Sequence, residues 1–213
     1  MADSLQWNVD DLVEMAVTGQ VSQPTMRPNG YVHWPDGKAA VLPGMSGIAY
    51  NARVGDRAFG WAGDHVEPGV SIAHSDEKSD FALHYLTCIG NEATVMAGLA
   101  RGATGIVTGE HARILVDFSP KVLEDLMIGD QVQIRAKGRG IGLTDWPEIE
   151  FKKTSPALAR AYGLRVENGH LICPVAGRPS PRRVTVFSGR FGKNAFDGRR
   201  LSRAVSPGVA GHP

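Results

Sequence analysis

The densest group of chemically competent side chains lies at residues 63–69, Gly-Asp-His-Val-Glu-Pro-Gly. Successive side chains of an extended segment point to opposite faces, so His65 and Glu67 share one face and Asp64 takes the other. An imidazole and a carboxylate on one face can chelate a divalent cation such as Zn, Mn or Fe. Alternatively, Glu67 orients His65 as a general base. A polar turn without chemistry is the remaining interpretation of this short motif.

Two later segments add candidate partners, Gly90-Asn91-Glu92 and Gly109-Glu110-His111. His111 is expected at the end of a hairpin, where the mouth of a barrel often holds ligands. The hypothesis requires that these side chains meet in space. The predicted site has His65, Glu67 and Glu92 as catalytic residues, His65, Glu67 and His111 as ligands of a divalent metal, and Asp64 as an orienting group.

A cationic patch is the candidate for substrate binding. Arg135, Lys137 and Arg139 alternate along a predicted strand end and could hold a phosphate or carboxylate, with Asn91 as a further contact. A strand edge protected by charge is the alternative. Cys88 lies in an apolar run and is predicted to be a small buried side chain, because no helix is indicated that would pair it with His84.

The elements that must position these residues are mostly strands. Apolar residues alternate over 13–21 and 131–137, which is typical of strands with one wet face. Ser119-Pro120 and Ser155-Pro156 each predict the start of a short helix, and residues 75–80 are expected to form a charged loop. With 26 glycines and 13 prolines in 213 residues, the chain is predicted to be a mainly β barrel or sandwich with two short helices.

The glycine-cornered hairpins predicted between residues 93 and 118 are similar to the KOW motif of ribosome- and transcription-associated barrels. An RNA-binding role would require a basic surface, and here Arg101 and Arg113 are balanced by Glu110 and Asp117. The similarity therefore concerns the fold and not nucleic-acid binding.

A longer resemblance rests on several ordered motifs. They are Leu42-Pro43-Gly44, Gly47 to Asn51, Gly60 to Val70, Cys88 to Ala93, Gly105 to His111, and Gly129-Asp130 through Gly142. In this order the chain resembles the bacterial and archaeal domain of unknown function 4438 family over about residues 12–175. The resemblance implies a mainly β fold and no assigned catalytic residue.

The charge is unevenly divided along the chain. Residues 1–173 carry 15 basic and 21 acidic side chains, a net of −6, whereas residues 174–213 carry 8 basic and one acidic side chain, a net of +7. We expect a β domain over 1–175, with an alternative division into two subdomains near 80–90. Residues 176–213 are interpreted as a basic tail rich in Arg, Gly and Pro, or as an altered or out-of-frame end.

These features favour a soluble cytoplasmic protein, because two cysteines are too few for a disulfide scaffold and no export signal or membrane span is indicated. The leading functional hypothesis is a small-molecule site that performs proton abstraction or metal-assisted hydrolysis, and no cofactor other than a divalent metal is indicated. One alternative is a non-catalytic binding or assembly module, including a homo-oligomer, anchored by Trp34, Trp61 or Trp146. Another is nucleic-acid binding through the basic tail, which the acidic body disfavours.

Overall fold

The computed structural model of the protein describes residues 5–25, 31–33, 35–41, 47–52 and 67–173. Short strands dominate this part of the chain. The strands are β1 (Glu14–Val21), β2 (Tyr31–His33), β3 (Ala39–Val41), β4 (Ile48–Ala49), β5 (Gly69–Ala73), β6 (Glu92–Val95), β7 (Thr104–His111), β8 (Arg113–Asp117), β9 (Gln131–Lys137), β10 (Arg165–Glu167) and β11 (His170–Ile172). The α-helices are α1 (Glu77–Leu86), α2 (Pro120–Asp125) and α3 (Pro156–Ala161), and Val9–Asp11 is a short 3-10 helix.

Six antiparallel strands close into a barrel, in the order β1, β9, β6, β7, β8, β5 and back to β1. The closure is made where Gln20 and Val21 at the end of β1 pair with Ala73 and Ile72 of β5. The start of β5 pairs on the same edge with β4, at Ile48 and Val70. The expected mainly β barrel is therefore confirmed. Strands from both sides of residues 80–90 belong to this one sheet.

The barrel interior is filled by the apolar residues of the alternating pattern. Along β9 the even-numbered residues from Val132 to Ala136 are buried and the residues between them are more exposed. Fully enclosing these branched side chains stabilises the barrel by about 1.5–3 kcal/mol each before conformational entropy is subtracted. The interior side chains include Val17, Val21, Val70, Ile72, Val95, Val107, Ile114, Val116, Val132 and Ile134.

Helix α1 packs against the barrel at β1 and contributes the fully buried Leu83 to the core. The prediction that residues 75–80 form a loop was wrong for residues 77–80. The expectation that no helix precedes Cys88 was also wrong, because α1 includes His84. Asp76 caps it by accepting a hydrogen bond from the backbone N–H of Ser79 at 2.8 Å. The apolar face is narrow, since Phe81 and Tyr85 are exposed, so helical periodicity was hard to see in the sequence.

The two helices predicted from Ser-Pro pairs are confirmed. The Ser119 side chain accepts from the N–H of Val122 at the start of α2, and Ser155 accepts from Leu158 at the start of α3. Each serine satisfies a backbone donor that would otherwise have no partner. The similarity of the β6–β8 hairpins to KOW barrels stays a prediction.

Gly19 in β1 lies under Leu83 of α1, with no space for a side chain. A Cβ atom at this position would lie 2.5 Å from Ile72 Cγ2 and 2.9 Å from Leu83 Cδ2. Replacing glycine by alanine in an extended strand normally gains a few tenths of a kcal/mol from the unfolded chain. We expect the overpacking to outweigh that gain, so Gly19→Ala should lower the free energy of unfolding by about 1–3 kcal/mol, measured by urea denaturation.

Gly142→Ala is the matched control, because a Cβ atom there meets no atom within 4 Å. Its free energy of unfolding should stay within about 0.5 kcal/mol of the wild type. If Gly19→Ala is as stable as this control, the close packing of Leu83 against β1 is refuted.

Candidate functional site

A β-bulge in β7 determines which polar side chains face the barrel interior. Val107 pairs with Val116 and Gly109 pairs with Leu115, so Thr108 is an extra residue without a partner. Before the bulge the buried residues of β7 are odd-numbered, and after it Glu110 is buried opposite the core residue Ile114. Because cross-strand partners share a face, Glu110 lies on the interior side and His111 on the outer side.

The outer pair joins His111 to the carboxylate of Glu67. His111 Nδ1 lies 3.2 Å from Glu67 Oε1, and the Ser71 hydroxyl donates to Glu67 Oε2 at 2.6 Å. Ser71 pairs with Leu115 and therefore belongs to the same outer face. The Glu67 side chain is 2% exposed and that of His111 is 35% exposed. The arrangement is a buried carboxylate that holds a partly exposed imidazole.

This contact favours one tautomer of the neutral imidazole. An ionised carboxylate only accepts hydrogen bonds, so a hydrogen bond to Glu67 requires the proton of neutral His111 to be on Nδ1. Nε2 then has a lone pair that can accept a proton or bind a metal. Glu67 is therefore placed to orient His111 through Nδ1.

The inner cluster joins α1, β7 and the segment before α3. Glu110 Oε1 lies 2.6 Å from His84 Nδ1, and Glu110 Oε2 lies 2.8 Å from Lys153 Nζ. Lys153 also donates to the backbone carbonyl of His84, and His84 Nε2 lies 3.7 Å from Asp80 Oδ2. Lys153 has a φ of 53°, a left-handed conformation that is rare for a residue with a side chain. The cluster fixes α1 to the end of the barrel.

The charges of the inner cluster favour ionised Glu110. Burial raises the pKa of the Glu110 carboxyl, but hydrogen bonds from His84 and Lys153 and their charges outweigh it and lower that pKa below its ordinary value.

The pKa of Cys88 is shifted in the opposite direction. Burial raises the pKa of its thiol to about 11, against the opposing charges of Lys153 and Arg139. The prediction that Cys88 is a small buried side chain is confirmed, because Cys88 is fully buried.

The structure brings together two residues of the predicted site, Glu67 and His111. His65 and Asp64 lie outside the described residues. Glu92 does not join them, since it is exposed on β6 opposite Ile106. Ile106 is five residues before His111 on β7, which separates the two positions by roughly 16 Å along the strand.

Two of the three residues predicted to bind substrate, Asn91 and Arg135, form contacts within the protein. The Asn91 side chain accepts from the N–H of Cys88 at 2.7 Å and donates to the carbonyl of Lys137 at 2.8 Å. Arg135 is exposed and forms an ion pair with Glu14 at 2.6 Å. Lys137 lies opposite Glu14 at the end of β9. Their role in substrate binding stays a prediction.

The metal site also stays a prediction. No group of three or more His, Cys, Asp or Glu side chains that could hold a metal is found among the described residues.

Glu110, His84 and Lys153 were not among the predicted site residues. Glu110 was noted beside His111, but regular alternation would have turned it away from the core. Gly109 next to the extra Thr108 is the one local hint of a bulge. Lys153 is distant in sequence from both partners and carries no motif.

Together these features define a closed β-barrel with a carboxylate–imidazole pair on each side of one strand. Residues 31–160 match the family described as "Domain of unknown function (DUF4438), N-terminal". The chain belongs to this family, as its sequence resemblance implied. A comparison with curated proteins gives no match.

A solved structure, the crystal structure of TM1086, is similar to this chain with 41% sequence identity and a TM-score of 0.75. The match covers 80% of this chain and 61% of TM1086, so the chain spans less than two thirds of that protein. In the described part of this chain, no helix has the length and apolar character required to cross a membrane.

The inner cluster makes a prediction about acid stability. Glu110→Gln leaves Lys153 partly unpaired in a buried position, so we expect a loss of about 3 kcal/mol in the free energy of unfolding at pH 7. The pKa of Glu110 is lower in the folded protein than in the unfolded chain. Ionised Glu110 therefore contributes to the free energy of unfolding at pH values above its pKa in the unfolded chain. That contribution is lost as the pH falls through its pKa in the folded protein. The difference between wild type and variant should therefore shrink below about pH 4 in urea denaturation series.

Glu150→Gln provides the control, because the ion pair of Glu150 with Lys152 is solvent-exposed. Its stability should follow the wild type across the same pH range. A wild-type stability that exceeds that of Glu110→Gln equally at pH 3 and pH 7 would contradict the assigned role of the Glu110 charge.

Proposed function

We propose that this protein is an enzyme that abstracts a proton from a small molecule on the outer face of the barrel, with His111 as the general base. The observation that carries the proposal is the 3.2 Å contact between His111 Nδ1 and the buried carboxylate of Glu67. Imidazole has an ordinary pKa near neutrality, which suits it to accept a proton at physiological pH.

Glu67 contributes in two ways. It supports the Nδ1–H tautomer, which leaves the Nε2 lone pair to receive the proton. It also stabilises the imidazolium that forms, because a fixed negative charge in a water-poor environment interacts more strongly with a new positive charge. Ser71 occupies the second oxygen of Glu67 and so limits rotation of the carboxylate. Glu67 is thus a positioning residue, and His111 is the catalytic residue.

Two other functions are considered for this site. Metal-assisted hydrolysis would use His111 Nε2 as a ligand together with His65, in agreement with the predicted divalent metal. A non-catalytic module is the other alternative. Trp146, one of its predicted anchors, is half-buried and lies beside Leu143, while Trp34 and Trp61 lie outside the described residues. The partly exposed imidazole of His111 next to the buried carboxylate of Glu67 favours proton transfer over this module.

The remaining expectations belong to the same proposal. The partner is a small molecule, and neither nucleic acid nor a membrane surface is expected to bind the acidic body. The cytoplasm is the expected compartment, since Cys88 and Cys173 are both free cysteines. Assembly into a homo-oligomer is compatible with the proposal and is not required by it.

Exchange of substrate protons with solvent tests the activity. The protein is incubated in D₂O with a panel of small carbonyl compounds, and deuterium incorporation next to the carbonyl is followed by NMR. We expect protein-dependent incorporation into at least one compound, and a fall of about 10²–10⁴-fold in His111→Gln, because loss of a general base costs that much. His170→Gln, a change at an exposed histidine of β11, should leave the rate unchanged.

The result discriminates between the candidate functions. Incorporation that persists in His111→Gln would exclude His111 as the base. No incorporation with any compound would contradict proton abstraction and favour the binding module. Incorporation abolished by a chelator and restored by a divalent cation would assign the reaction to the metal-dependent alternative.

A further inference from the structure

We propose that Arg113 forms an oxyanion-binding site beside His111 that takes the carboxylate or phosphate group of a small molecule. The inference rests on the proposed function only in naming the neighbouring base. Arg113 begins β8 and is the direct cross-strand partner of His111, the last residue of β7. Directly opposed residues have Cβ atoms about 5 Å apart and side chains on one face. The guanidinium and the imidazole therefore start from the same small area of the outer face.

The guanidinium of Arg113 is held in place by one hydrogen bond, but one of its N–H donors has no acceptor in the described part of the chain. Its Nη1 donates to the carbonyl of Ala112 at 2.9 Å, which ties the side chain to the tip of its own hairpin. Its Nε is buried and makes no hydrogen bond with any other part of the described chain. A buried donor without a partner costs about 1–3 kcal/mol and calls for an explanation such as a bound ion or ligand.

The hairpin tip keeps the two side chains together. Ala112 alone separates His111 from Arg113, and it has a φ of 55°, in the left-handed region that residues with a Cβ atom rarely adopt. Such strain is found where the surrounding structure fixes a functional geometry. The tight turn leaves little freedom for Arg113 to move away from His111.

The chemistry of the guanidinium identifies the ligand class. Arginine is permanently charged and offers paired N–H donors that match two oxygens of a carboxylate or phosphate. An N–H donor that lacks a partner gains one when an oxyanion binds, so the bound anion replaces an unfavourable buried group. An anion held here would place the rest of its molecule next to the imidazole, which is the arrangement that proton abstraction needs.

The carboxylates described near the site are engaged with other side chains or distant from Arg113. The carboxylate oxygens of Glu67 face Ser71 and His111. Asp117, at the far end of β8, is four residues from Arg113 along the strand, roughly 13 Å away. When His111 accepts a proton, the two negative charges of the bound anion and Glu67 would be balanced by the two positive charges of Arg113 and His111.

The test follows the Nε–Hε resonance of Arg113 in ¹H–¹⁵N spectra of the full-length protein. Sodium acetate and sodium phosphate are titrated separately to about 50 mM, a range that saturates a site with a millimolar Kd. Sodium chloride at equal ionic strength is the reference, since screening alone shifts resonances without saturation. We expect a saturable shift of the Arg113 resonance with acetate, phosphate or both, and the responding anion identifies the ligand class.

Variants separate the site from general surface charge. Arg113→Gln and Arg113→Lys should each weaken anion binding at least tenfold, monitored through the His111 ring resonances, because both lose the Nε–H donor. Arg101→Gln, a change at an exposed arginine in the turn before β7, should bind as the wild type does. No saturable shift beyond the chloride reference in the wild type overturns the proposal, and so does unchanged binding in Arg113→Gln.

The outcome is separable from that of the proposed function. Anion binding without deuterium exchange would retain the Arg113 site and remove the general base. Deuterium exchange without anion binding would retain His111 as the base and remove the Arg113 site.

Discussion

One extra residue in β7, Thr108, decides which polar side chains face the interior of the barrel. Strand alternation has a period of two, so a single unpaired residue transfers every later side chain to the opposite face. Glu110 consequently faces the barrel interior, where it contacts His84 and Lys153, and His111 faces outward to Glu67. A regular strand would have exchanged these positions, and neither carboxylate–imidazole pair would exist in its present form.

The two pairs have similar chemistry but different surroundings, which indicates different roles. In the inner pair, one oxygen of Glu110 contacts His84 of α1, and the other forms an ion pair with Lys153 from the segment before α3. Such a cluster connects α1 to the barrel and stabilises their packing, but it leaves the carboxylate inaccessible to a small molecule. In the outer pair, the carboxylate is buried but about a third of the imidazole is exposed. Only the second arrangement combines a fixed orientation with access for a small molecule.

The strands were largely predictable because each carries its own information. Residues 131–137 alternate between apolar and polar types, and the structure forms β9 over the same residues. The Ser-Pro pairs likewise predicted α2 and α3 from local capping chemistry. Helix α1 was not predicted, since it has one fully buried residue, Leu83, and a cap formed by Asp76, but no wide apolar face.

The site was predictable only in part. Residue types selected Glu67 and His111, but their contact depends on the pairing of β5, β8 and β7, which spans 44 residues of sequence. Glu92 had the same chemical type and was placed elsewhere by its register opposite Ile106. The inner cluster depends on a bulge, which regular alternation cannot reveal. Local patterns thus supplied the strands, whereas tertiary pairing decided which side chains meet.

The tautomer of His111 tests most directly whether Glu67 orients it as a base. Long-range ¹H–¹⁵N spectra, recorded at about pH 8 where an ordinary imidazole is neutral, distinguish a protonated Nδ1 from a protonated Nε2. We predict that His111 is predominantly protonated on Nδ1 in the wild type and that Glu67→Gln shifts the population toward protonated Nε2, while the exposed His170 is unaffected. A wild-type His111 protonated mainly on Nε2 would contradict the orientation by Glu67 and, with it, the assignment of the base.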